Sequence, residues 1–201
     1  MQVVLIRSAA YFLMAVFLGE LIRLELGSDE SVRRFTEYGY VQWVQSVILI
    51  ACSVLLFLKA RVSVFYRHLY VCMAFFFLAL LVRENDQPLE LFLPHGSWKY
   101  IVVFPVAALA MYFAKHRRLV LEQLVVYSRT LSFGVMLSGF MVLVFSRLFG
   151  RKRFWQELMG DEYFRMVKNV AEEGVEVLAL GLILIAVVEL FISRDTQPTT
   201  G

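Results

Sequence analysis

Glu172-Glu173-x-x-Glu176 places three carboxyl groups within five residues, and the spacing of four stacks Glu172 and Glu176 on one helical face. Carboxylates so arranged can hold a cationic or zwitterionic ligand, work as an acid and base pair, or bind a hard metal ion. Further polar groups fall at the same ends of other apolar runs. Glu37, Gln42 and Gln45 open one run, Arg83-Glu84-Asn85-Asp86 closes another, and Glu20 lies a turn before the end of the first. Lys99 and Arg147 bring countercharge. The expectation is one outer polar layer that binds a ligand through Glu20, Glu37, Gln42, Gln45, Arg83, Glu84, Asp86, Lys99, Arg147, Glu172, Glu173 and Glu176.

No catalytic set accompanies these residues. No Ser-His-Asp order, GxSxG, HExxH or Cys-His pair falls at one membrane level. His68 and His116 are expected at the opposite, inner face among arginines, far from His95, so neither a triad nor a bis-histidine haem site is expected. Glu84, Asp86, Glu172 and Glu176 with His95 come nearest to a metal set. Their spacing matches no metal motif, and the Glu-x-x-His pairs of a four-helix carboxylate site are missing. The sequence is therefore read with no catalytic residue, no metal and no cofactor. Cys52 and Cys72 fall in mid-run and read as small apolar fillers rather than a disulfide.

The elements that carry the layer are six apolar runs, 4–24, 38–59, 64–83, 99–116, 128–149 and 170–192. Each is about as long as the ~20 residues a helix needs to cross a ~30 Å hydrocarbon layer. Composition agrees: 60% of residues are hydrophobic, 18% are charged, and mean hydropathy is +0.68, too apolar for an ordinary soluble domain. The fold class expected is all-α, a polytopic integral membrane protein with a six-helix bundle over 1–194 and a disordered tail at 195–201. The first run lacks a basic leader and a small-residue cleavage site, so it reads as a retained helix. Residues 85–98 read as an irregular loop, because Pro88 and Pro94 break helix, and as one that dips toward lipid, because Leu89, Leu91, Phe92 and Leu93 are apolar. In the last outer loop Phe154, Trp155, Leu158 and Met159 form an apolar stripe beside Arg151, Lys152 and Arg153, the pattern of an interfacial helix. Asp161 then reads as an N-cap for a helix running from Glu162 into the last span.

The basic clusters Lys59-x-Arg61 and Lys115-His-Arg-Arg118 sit in the shortest connections and read as cytoplasmic, which puts both termini on the cytoplasmic side. Compactness and the lack of a targeting or glycosylation signal point to a bacterial inner membrane. Ser132, Gly139 and Ser146 recur every seven residues, so helix 128–149 offers a small-residue face for its own bundle, a protein partner or a second copy. The lipid bilayer is the other expected partner, and nucleic acid is not one. The leading functional expectation is a non-enzymatic membrane module, a binder of a small polar ligand or lipid head group, or a sensor or complex subunit. A small transporter or channel comes second and a carboxylate-based intramembrane hydrolase third. Below the outer layer the runs are almost purely apolar, which argues against a proton relay through one subunit. A reporter fused after Gly201 is expected to read cytoplasmic and one inserted near Ser97 external; both on one side would eliminate the six-span topology.

Overall fold

A computed structural model describes residues 2–26, 39–86, 89–90, 93–94 and 96–193, with side chains from Leu5 onward. Glu37, Tyr38, Pro88, Leu91, Phe92, His95 and the tail 195–201 lie outside the described residues. Among the described residues the chain is helical and contains no strand. The helices are α1 (Gln2–Leu26), α2 (Tyr40–Val62), α3 (Arg67–Glu84), α4 (Trp98–Tyr127), α5 (Leu131–Phe149), α6 (Lys152–Met159) and α7 (Arg165–Ile192), with a 3-10 turn at Gly160–Glu162. Five of them, α1, α2, α4, α5 and α7, are long and apolar enough to cross a membrane. Their outward faces carry Phe12, Leu13, Phe104, Met111 and Met141, all exposed, an arrangement that a lipid solvent favours and water does not.

Several boundaries differ from the sequence expectation, for local reasons. The third run does not begin at 64: the Ser63 hydroxyl accepts the Tyr66 N–H at 3.0 Å, and this turn delays α3 to Arg67. Arg67, Arg83 and Glu84 then lie within the 18-residue helix, so its whole length carries three charged residues and it is not among those five. The fourth run continues well past 116 to Tyr127, since Arg117, Arg118, Leu121, Glu122 and Gln123 are good helix formers outside an apolar setting. Pro105 is accommodated inside α4. Three described residues of the expected irregular loop are joined by helical bonds: Leu89 N–H donates to Asn85 O at 3.1 Å and Leu93 N–H to Leu89 O at 3.0 Å. Asp161 does not cap a helix; it lies inside the 3-10 turn, and α7 starts at Arg165.

The described chain sorts into two compact units, Met1–Gln45 with Leu137–Ile183, and Ser46–Met136 with Leu184–Gly201. In the first unit α7 has two working faces. Gly174, Val177 and Gly181 are spaced three and four apart and meet α1. A Cβ on Gly181 would come within 2.8 Å of Leu18 Cδ1, and one on Gly174 within 3.4 Å of Ile22 Cδ1. Leu18, Val41 and Val177 are buried together, with Met14, Leu21, Ile22 and Val44 packed around them. The second face carries Ala179 and Ile183 and meets α5 at Gly139, where a Cβ would lie 2.7 Å from Ile183 Cγ1 and 3.0 Å from Ala179 O. Gly139 and Ser146 on the small-residue face of 128–149 thus pack on α7 of the same chain.

In the second unit, α5 and α7 meet again where Ser132 Oγ donates to Ala186 O at 2.8 Å. Lys59 Nζ donates to Phe191 O and Ser193 O at 3.2 and 2.6 Å, placing a buried cation at the C-terminal end of α7, where the helix dipole favours it. The first turn of α3 grips α4 twice. His68 Nδ1 lies 2.9 Å from Tyr112 Oη, and Leu69 N–H donates to Gln123 Oε1 at 2.7 Å. Between those bonds His116 leaves helical geometry (φ −116°, ψ 17°), and its ring stacks on His68 with centroids 4.3 Å apart. The two histidines expected to stand apart from any site are therefore ring partners, joined face to face rather than aimed at a common metal.

Gly139→Ala is expected to destabilise the detergent-solubilised protein by about 1–3 kcal/mol, because a methyl must displace Ile183 and a backbone carbonyl. An unchanged denaturation midpoint would show that α5 and α7 do not meet there.

Candidate functional site

The last turns of α5 and the first turns of α7 run antiparallel in the first unit and bring the expected Arg147, Glu172 and Glu176 together. Arg147 Nε lies 3.1 Å from Glu176 Oε1, and its Nη1 lies 3.7 Å from Glu172 Oε1. Lys168, a turn before Glu172 on α7, places Nζ 2.5 Å from Glu172 Oε2. Glu176 is 4% exposed and Arg147 side chain 40%, so the guanidinium closes the buried acid from the open side. The Ser146 hydroxyl lies 2.8 Å from Leu143 O and 3.3 Å from Glu176 Oε1. Gly150 ends this arrangement: a Cβ there would fall 2.2 Å from the Glu172 carboxyl carbon, so the chain leaves α5 directly over that carboxyl group.

A second carboxyl group of this unit was not among the expected site residues. Glu25, 1% exposed, reaches from the end of α1 to the start of α2 and accepts the Val41 N–H on Oε2 at 2.9 Å. The residue in the N-cap position of α2 is Gly39, which has no side chain to satisfy the first-turn N–H groups, and Glu25 fills that role from another helix. Any Cβ on Gly39 would overlap Glu25 Oε1, at 1.6 Å. Glu25 follows Leu18 by seven residues and so shares its helical face, but nothing in the sequence marks that face as the inward one.

Glu20, by contrast, stands off this face. It is 52% exposed at the side chain and pairs with Arg23 on its own helix at 2.6 Å, so it is removed from the buried layer. Gln45 is 2% exposed, and its Nε2 has no hydrogen-bond partner among the described residues. It follows Val41 by one helical turn and so shares the face that meets Leu18 and Val177. Gln42 and Glu173 are half-buried in the same unit. Arg83, Glu84, Asp86 and Lys99 belong to the second unit. There Arg83 and Lys99 are exposed, Glu84 and Asp86 are half-buried, and Lys99 Nζ sits 5.9 Å from the centre of the Trp98 ring. Ser46 Oγ donates to Asn85 Oδ1 at 3.0 Å in that unit and ties the end of α3 to α2.

The first-unit set is thus Glu25, Gln45, Arg147, Lys168, Glu172 and Glu176, with Gly39 and Gly150 making room for two of the carboxyl groups. These side chains offer carboxylates, cations and an amide, groups capable of ion pairing and hydrogen bonding. Among the described residues no group of three or more His, Cys, Asp and Glu side chains is placed to hold a metal ion. Compared with protein-family models, with curated proteins and with solved structures, the chain matches none.

Arg147→Met is expected to destabilise the protein by about 2 kcal/mol, less than the ~3–5 kcal/mol of a fully buried pair because the guanidinium is part-exposed. The double variant Arg147→Met, Glu176→Gln should recover part of that loss, since the acid left behind is gone. Equal loss in single and double variants would show that Arg147 does not act through Glu176.

Proposed function

We propose that the chain is a six-span protein of a bacterial inner membrane, with both termini cytoplasmic, whose outer polar layer binds a small zwitterionic ligand or lipid head group. In this reading α3 is the sixth span and α6 lies in the membrane interface. The observation that carries the ligand reading is the Gln45 amide. A buried donor without a partner is rare, and leaving one unmade costs roughly 1–3 kcal/mol, so its persistence beside an acidic layer supports a ligand acceptor there. Glu172, Glu173, Glu176 and Glu25 outnumber Arg147 and Lys168, which favours a cationic group in the same ligand. A sensor or a complex subunit would use the same layer in the same way.

Lysophosphatidylcholine, titrated into protein held in a maltoside detergent, should raise the melting temperature in a saturable manner. Gln45→Leu should abolish that rise. A variant that is more stable than the parent yet responds to the lipid as before would overturn the ligand role of Gln45.

A further inference from the structure

We infer that α6 is a docking surface for anionic phospholipid, an inference that rests on the interfacial placement proposed above. Only Gly150 and Arg151 separate α6 from the end of α5, so the helix begins within about 10 Å of the end of a helix long enough to span. One edge of α6 is fixed to its own unit. Trp155 Nε1–H donates to Phe149 O at 2.8 Å, and the two rings meet edge to face at 5.2 Å. That anchor turns the neighbouring apolar edge outward, leaving Phe154 and Leu158 exposed at 46% and 67%. A helix with one edge tied down and the other uncovered is oriented for acyl chains, not for bulk water.

Charge selects the lipid. Arg151, Lys152 and Arg153 are exposed and cluster at the N-terminal end of α6, where the helix dipole disfavours cations and no acidic residue occupies the first turn. Glu157 pairs with Arg153 at 2.8 Å, and Asp161 and Glu162 follow in the next turn. Arg151 and Lys152 have no ion pair among the described residues. Phosphate-bearing head groups, packed beside the exposed Phe154 and Leu158, meet both the charge and the apolar edge. A basic side chain near an anionic surface changes association by about five-fold.

The test uses the full chain in bilayers, with spin-labelled phosphatidylglycerol and phosphatidylcholine competing for its surface, and a second label on Leu158→Cys reporting depth. The parent should prefer phosphatidylglycerol, and the triple variant Arg151→Gln, Lys152→Gln, Arg153→Gln should lose at least five-fold of that preference. The Leu158→Cys label should be reached by oxygen and shielded from a water-soluble relaxant. A shielded label with lipid preference unchanged in the triple variant would overturn the anionic docking surface while leaving the interfacial helix intact. A label fully open to the aqueous relaxant would overturn the interfacial placement itself.

Discussion

The first unit depends on Arg147 standing between Glu172 and Glu176. The seam between α5 and α7 is built from Gly139, Ala179 and Ile183, close enough that no larger residue fits at 139. Such a seam leaves little water, so a carboxyl group carried into it must bring its partners along. Arg147 lies one residue after Ser146, and Ser146 lies seven after Gly139, so one helical register delivers the tight contact, the hydroxyl and the cation in sequence. A shift of one residue along α5 would separate all three. Electrostatics and packing therefore specify the same alignment.

The same logic extends to the start of α2. Helix ends need acceptors for their first N–H groups, and a glycine in the cap position cannot supply one. Glu25 meets that need from α1, while Leu18, two turns earlier on the same face, packs with Val41 and Val177. The first turn of α2 is thus completed only when α1 is already in place beside it.

The helical class was legible because ~20-residue apolar runs have few other solutions, and the α7 face of the site was legible because Glu172 and Glu176 are four apart. Glu20 and Glu25 show where such reading stops. Both are acids near the end of one apolar run, but five residues of separation turn them to different faces, and only contacts with neighbours identify the inward one. Mean apolarity gave no hint that Leu18 and Gly181 define that direction. The length of α4 was lost for a related reason: Arg117, Arg118 and Glu122 end a hydrophobic run without ending a helix. The stacking of His68 on His116 joins residues 48 positions apart and had no local signature.

That stack has a mechanical consequence. A 30-residue helix without the bend would behave as one rod, and a push at either end would translate the whole of it. With His116 as a fulcrum, α4 is a pair of levers, and each is tethered to adjacent residues of a third helix, His68 for one arm and Leu69 for the other. Changing the angle between the levers must stretch one tether. The bend is consequently braced from outside the helix by two hydrogen bonds to α3.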